Sequence, residues 1–345
     1  MRTVDLRSDT TTLPTDEMRQ AIIASELGDD VFQDDPTVNR LEELAAKRLG
    51  KEAALLVPSG TMANLVSILT HCDRGAEVIL GNKAHTYKYE KGGISAYGGI
   101  HSTQIPNQDD GTMILEDIKA AIRGKDVHFP ETRLICLENT HNVCGGAPLS
   151  VAYMKEVADL AREHDIKIHI DGARIFNAAV AQGVNVQELV QDADTMSFCL
   201  SKGLAAPVGS IICGSKDFID QARGIRKGLG GGMRQAGIIA AAGIVALETM
   251  VDRLQEDHTN ARLLAEGIAD LHGIILDPEL IKTNIIYFDL ADTAMESADF
   301  LAVLSTKGIQ FFDTGPRRFR MVTHHGITAE DILYTVESFK QTMTD

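Results

Sequence analysis

Five apolar runs in this chain end in residues that can do chemistry. TMSFCL (195–200) stops at Ser201-Lys202-Gly203, IKIHI (166–170) at Asp171-Gly172-Ala173-Arg174, and RLICLE (133–138) at Asn139-Thr140-His141-Asn142. EVILG (77–81) runs into NKAHTYKYE, with His85, Tyr87 and Tyr89, and ALLVP (54–58) into Ser59-Gly60-Thr61 at the head of a helical pattern. Each has a plain structural reading: a surface lysine, an Asp-Gly turn, a loop aromatic, a capped helix. Brought together at one sheet edge, they describe a pyridoxal phosphate site. A lysine amine forms a Schiff base with the aldehyde. A carboxylate paired with the pyridine nitrogen keeps it protonated, so that the ring accepts electrons. N–H groups at a helix N-terminus hold the phosphate, and a flat side chain stacks on the ring. On this reading Lys202 ends its strand to aim its amine at the cofactor, and Gly203 lets the backbone turn away without crowding it.

Such a site needs a parallel sheet, because ligands bind beyond the carboxyl ends of parallel strands. Several of the runs, and VGSIICG (208–214), are apolar throughout instead of alternating, as strands covered on both faces are. Between two of them, Val151, Met154, Val157, Ala158 and Ala161 line one face of a helix. The pattern predicts an α/β fold with a mostly parallel, helix-covered sheet. Near residue 250 it changes: an amphipathic helix over 252–271, NIIYFDL (284–290), a helix over 297–307, FRMVT (319–323) and a last helix from 328. These predict a small C-terminal α+β domain over 251–345, after a large domain over 1–250 that includes an N-terminal arm, 1–14. With no repeat and no low-complexity linker, the boundary reads as a continuous helix.

Composition narrows the partners. Across 345 residues the formal net charge is −16, which argues against nucleic acid or an anionic membrane as partner. Two basic knots, RKGLGGGMR (226–234) and PRRFR (316–320), offer the local positive charge that a small anionic ligand needs. No apolar run is long enough to span a bilayer; AGIIAAAGIVAL (236–247) reads as a buried helix. The N-terminus carries no apolar signal segment, so a cytoplasmic protein is expected. Five cysteines without C-x-x-C spacing read as free thiols, with Cys136, Cys199 and Cys213 buried, and neither a metal site nor a disulfide framework is expected.

The motifs DLRSDT (5–10), GDDVFQDDPTVNRLE (28–42), SGTMAN (59–64), ENTHN (138–142), HIDGARIFNA (169–178), CLSKGLAAPVGS (199–210), GGGMRQAG (230–237) and RMVTH (320–324) follow one another along nearly the whole chain. Together they resemble the low-specificity L-threonine aldolases, pyridoxal phosphate enzymes of the aspartate-aminotransferase fold type. The resemblance implies that Lys202 carries the cofactor, Asp171 binds its pyridine nitrogen, Arg174 reaches its phenolic oxygen and His85 stacks on its ring. It implies that Gly60 and Thr61 hold the phosphate, with Arg234 and Lys227 adding charge from the same or a neighbouring subunit. Ser8 and Arg320 would bind the substrate α-carboxylate, His141 and His85 would lie near the β-hydroxyl, and Tyr89 would border the side-chain pocket. A homotetramer built from dimers is implied as well.

The expected reaction is aldol cleavage of L-threonine or L-allo-threonine to glycine and an aldehyde. The base for the β-hydroxyl proton is His141, His85 or a held water; the sequence does not choose. The alternatives on the same scaffold are β-elimination and serine hydroxymethyl transfer. A non-catalytic binding protein would not need both Lys202 and Asp171, and both are present.

Overall fold

The computed structural model describes residues 2–292 and 294–344. In chain order its strands are β1 (Val4–Asp5), β2 (Ala53–Val57), β3 (Glu77–Gly81), β4 (His101–Ile105), β5 (Thr132–Glu138), β6 (Lys167–Asp171) and β7 (Thr195–Cys199). They continue with β8 (Ser210–Gly214), β9 (Ile274–Ile275), β10 (Ile285–Leu290), β11 (Ile309–Gln310), β12 (Phe312–Gly315) and β13 (Arg318–Val322).

The large sheet has the order β2-β8-β7-β6-β5-β3-β4. β3 to β7 pair in parallel. β8 runs antiparallel to both β2 and β7, so β2 points the same way as the rest. The unbroken apolar runs follow from helices on both faces. Ala54 and Leu56 of β2 enter the main core, while Leu55 and Val57 enter a second cluster with Ala63 and Val66 of the helix Gly60–His71. Alternate side chains point to opposite faces, and here both faces are dry. β4 is not evident in the sequence. It lies at the sheet edge, and its residues HSTQI are mostly polar and partly exposed.

A four-stranded antiparallel sheet, β12-β13-β10-β9, forms in the C-terminal part. It packs on the helices Leu254–Ala269, Ser297–Thr306 and Ala329–Thr344 around Phe288, Phe300, Phe311, Phe319 and Phe339. Phe288 and Phe319 stack at 5.2 Å, and Phe300 meets Phe339 edge-on at 5.4 Å. Alternation along β13 sends Phe319 and Met321 into this core and leaves Arg320 on the opposite face.

Three details depart from expectation. The helix Gly237–Thr249 does not continue into Leu254–Ala269; a turn intervenes, and Val251 and Leu254 are buried against the large core there. The N-terminal arm, grouped above with the large domain, pairs through β1 with β11 and buries Val4 and Leu6 in the phenylalanine core. Gly203 does not relieve the lysine turn. A Cβ there would lie 2.9 Å from Leu254 Cδ2, and the left-handed residue of the turn is Ala205, at φ 60°. Among the described residues no helix is long and apolar enough to cross a membrane.

Phe319 carries the small core on one side of β13 while Arg320 faces the other way. Phe319→Ala is expected to cost about 3–5 kcal/mol, as large-to-small changes at packed aromatics do. Urea titration of the purified protein measures it; a loss below about 1 kcal/mol would show that the cluster is loosely packed.

Candidate active site

The carboxyl ends of β2, β3, β5, β6 and β7 share one edge of the sheet, and the polar residues gather there. Asp171, last in β6, is buried; its Oδ1 accepts from the Ala173 N–H at 3.1 Å and its Oδ2 from Asn64 Nδ2 at 2.8 Å. Asn64 sits one turn inside the helix Gly60–His71 and gives its other amide hydrogen to Glu90 Oε1, also at 2.8 Å. Glu90 in turn meets His85 Nδ1 at 2.9 Å. Ligand atoms of His85, Glu90 and Asp171 all lie within 4.8 Å of one another. Burial works against a charged His85, but the bond to Glu90 and the charges of Asp171 and Glu90 outweigh it, so the imidazole pKa is raised. Burial, reinforced by Asp171, holds the Glu90 carboxyl above its ordinary range.

Lys202 stands in the turn after β7, half-buried, with its carbonyl accepting from Thr12 Oγ1 at 3.1 Å. Its charge acts on both Asp9 and His85. Ser59 caps the neighbouring helix by accepting from the Met62 N–H at 3.2 Å, which leaves Gly60 and Thr61 in the first turn. A Cβ on Gly60 would lie 2.9 Å from Cys199 Sγ, so this turn packs tightly against the end of β7. Arg234 and Lys227 are exposed. Arg234 binds Asp29 at 2.9 Å and lies over the Phe32 ring, and among the described residues neither cation bonds to another of the site residues named here.

Facing this group are the arm and the small sheet. Arg174 donates through Nε and Nη2 to both oxygens of Asp9, at 2.6 and 2.7 Å, so that Nη1 is left for another acceptor. Both residues are buried. Burial alone would raise the Asp9 carboxyl; Arg174, Lys202 and Arg320 hold it well below the usual range. Ser8 is half-buried beside Asp9, its Oγ accepting from Thr10. Arg320 donates to Asn142 Oδ1 at 3.0 Å and to the Arg7 carbonyl at 3.4 Å, while its buried Nε has no partner. It makes no ion pair among the described residues, and burial together with the charge of Arg174 lowers its pKa. Arg317 donates to the Leu290 carbonyl at 3.0 Å, and Arg318 lies over Tyr287 and 3.9 Å from Asp289. Tyr89 is exposed, 5.6 Å from the His85 ring.

Glu138, last in β5, accepts from the His85 N–H at 2.7 Å and the Asn142 N–H at 2.8 Å, stitching two loops together. His141 is 1% exposed, and neither of its ring nitrogens has a hydrogen-bond partner. Its Nε2 lies 3.8 Å from Glu138 Oε2. Asn64, Glu90, Asp9 and Glu138 carry much of the wiring, and no sequence pattern assigns them a role. All four lie inside stretches quoted above, yet an asparagine in a helix, a glutamate in a loop or at a strand end and an aspartate in the arm carry no signal of their own.

The β-eliminating lyase family model matches residues 5–291. The chain is 52% identical to low-specificity L-threonine aldolase 1 of Arabidopsis thaliana, over 99% of this chain and 97% of that protein. It is 44% identical to the low specificity L-threonine aldolase of Escherichia coli, over 95% of this chain and 96% of that protein. A solved threonine aldolase from Leishmania major superposes with a TM-score of 0.82 at 16% identity, covering 98% of both chains, and so shares the fold.

The His85–Glu90 pair gives a signed expectation. The folded imidazole titrates above the unfolded value of 6.5. Its proton therefore stabilises the fold fully below that value, and the contribution is lost as pH rises through the folded pKa. Glu90→Gln removes the carboxylate, so the NMR titration of His85 moves to lower pH; an unmoved titration would mean that Glu90 does not hold the proton.

Proposed function

The chain belongs to the β-eliminating lyase family, and on that footing we propose that its site cleaves L-threonine and L-allo-threonine to glycine and acetaldehyde with pyridoxal phosphate as cofactor. It is a carbon–carbon lyase of the threonine aldolase kind, since relatives at 44–52% identity over nearly its whole length bear that name. That agreement favours aldol cleavage over β-elimination or hydroxymethyl transfer. The observation that carries the reading is Arg320: a mostly buried cation with no carboxylate partner and an unpartnered Nε, in a site already furnished with a lysine and an aspartate.

The residues present fit the cofactor. Asp171, hydrogen-bonded twice as an acceptor, suits a protonated ring nitrogen. Lys202 supplies the amine, His85 the stacking surface, and Gly60 and Thr61 the helix N-terminus for the phosphate. Arg174 Nη1 is free for the phenolic oxygen. When bound, the cofactor supplies a cationic ring that takes up the electron pair released from the Cα–Cβ bond.

The chain's own residues do the rest. Arg320 grips the substrate carboxylate through the guanidinium fork, with Ser8 beside it, which orients the bond to be broken. His141 takes the β-hydroxyl proton as the Cα–Cβ bond breaks, because its ring nitrogens are unengaged, whereas His85 is held toward its charged form by Glu90. Tyr89 borders the space for the departing aldehyde. Arg234 and Lys227, at the surface of one chain, reach the phosphate only from a partner copy. Leu13, Ile23 and Phe32, each at least 70% exposed, offer apolar surface for that association. We place the active sites between subunits of a homotetramer made of dimers. The protein is assigned to the cytoplasm, where its free cysteines stay reduced.

The function is tested by mixing L-threonine with cofactor-loaded protein and following acetaldehyde through a coupled NADH assay. Lys202→Ala is expected to abolish turnover and borohydride trapping of the cofactor; covalent trapping in that variant would overturn the role of Lys202.

Arg320→Lys keeps the charge but loses the fork. It is expected to raise KM for threonine at least about tenfold, or about 1.4 kcal/mol, with cofactor absorbance unchanged. Arg318→Lys is expected to leave KM near the parent value; equal effects would misplace the substrate carboxylate.

A further inference from the structure

Behind the site a line of polar groups runs along one face of the large sheet from its opposite edge. It starts at His71, the last residue of the helix Gly60–His71, whose ring packs on Phe218 at 4.5 Å. His71 Nε2 lies 2.8 Å from Thr195 Oγ1, and Thr195 Oγ1 lies 3.0 Å from His169 Nδ1 on the neighbouring strand. His169 Nε2 is 3.2 Å from Asn64 Oδ1, which also accepts from Ser197 Oγ at 2.9 Å. The strand register pairs His169 with Thr195 and Asp171 with Ser197, so these side chains share one face. Thr195, His169, Asn64 and Ser197 are all at most 2% exposed.

Only one arrangement of hydrogens suits this line. Asn64 faces two carboxylates, so its NH2 must point at Asp171 and Glu90 and its carbonyl at Ser197 and His169. Burial lowers the His169 pKa to about 3 and the His71 pKa to about 4, so both rings are neutral near pH 7. His169 must then carry its hydrogen on Nε2 to serve Asn64, which leaves Nδ1 to accept from the Thr195 hydroxyl. Thr195 in turn accepts from His71 Nε2–H. Each link fixes the direction of the next, and the line ends at Asp171, the carboxylate that would hold the ring nitrogen.

We propose that His169 is a positioning residue: held as its Nε2–H tautomer by Thr195 and His71, it locks the Asn64 amide so that Asp171 and Glu90 each keep a hydrogen-bond donor. The effect on turnover rests on the pyridoxal phosphate reading above. With the lock gone, the Asn64 carbonyl keeps only Ser197, and the amide can turn away from the carboxylates. Asp171 then loses the donor that Asn64 gives it at 2.8 Å and would hold a bound ring nitrogen less firmly. A core histidine that merely fills space would do none of this.

The test uses His169→Leu, which removes both ring nitrogens, and His169→Gln, whose amide N–H can replace Nε2–H. In histidine-labelled protein free of cofactor, 15N NMR should show the His169 resonance, identified by its loss in His169→Gln, as the neutral Nε2–H tautomer. Titration of the cofactor-free proteins with pyridoxal phosphate should show His169→Leu binding it about tenfold more weakly. In the loaded enzyme kcat should fall by about the same factor, while KM for threonine stays within about twofold. His169→Gln should recover both quantities. If His169→Leu does not fold, Ser197→Ala removes the other donor to the same oxygen and should give the same pattern in weaker form. An Nδ1–H tautomer, parent-like affinity and kcat in the folded variant, or a glutamine variant as impaired as the leucine one would overturn the proposal. Failure of the parent protein to bind pyridoxal phosphate would instead sink the functional reading, and the tautomer would still judge the lock.

Discussion

The buried ion pair between Asp9 and Arg174 holds the parts of this site in register. Asp9 belongs to the N-terminal arm, Arg174 follows the end of β6 in the large sheet, and Asn284, just before β10, adds a third bond to the same carboxylate at 3.3 Å. Three segments far apart in the chain therefore meet at one charge. Removing either member of such a pair leaves an uncompensated charge in a dry setting, at a cost of about 3–5 kcal/mol. The arm is also pinned by backbone pairing of β1 with β11 and by the Leu6 carbonyl, which accepts from the Val322 N–H at 2.9 Å. The Arg7 carbonyl is thereby brought to Arg320, which donates to it at 3.4 Å, so the arm helps to hold Arg320.

Charge is divided across the site in a way that suits an amino acid and an electron-poor ring. Lys202, Arg174 and Arg320 lie toward the arm and the small sheet, with Asp9 as their internal counterion. Asp171 and Glu90 lie on the other side, held by Asn64 and His85. An anionic group would be drawn to the first side and a cationic one to the second. In a protein of net charge −16 this local cationic excess is a property of the site and not of the surface. Arg317 and Arg318 show the difference: they neighbour Arg320 in sequence, yet one is spent on backbone carbonyls and the other sits over Tyr287 near solvent.

The strands that place the site were legible because burial on both faces leaves an unbroken apolar run, and the residue that ends each run is visible. Asp171, Lys202, His85, Glu138 and His141 could thus be put at strand ends from the sequence alone. β4 was not legible, because an edge strand keeps polar side chains. The break near 250 was not legible either, since its residues read as a continuing helix and only packing of Val251 and Leu254 on the large core reveals the turn. Gly203 had a plausible local meaning, but its neighbour is Leu254, fifty-one positions on.

The sequence by itself determined the alternation of strands and helices, the class of chemistry, and the place of Asp171 and Lys202 at strand ends, because each depends on local pattern and on which residue types can do the work. The tertiary structure decided which polar groups are partnered and which are left over. Asn64 joins Asp171 across 107 positions and Arg174 meets Asp9 across 165. Such pairings depend on how elements are set against one another, and a buried hydrogen bond or ion pair leaves no periodic trace in the residues that make it. The same holds for Arg320, since nothing in PRRFR distinguishes its third arginine until the fold gives Arg317 and Arg318 other partners and leaves this one half-buried with no carboxylate partner among the described residues.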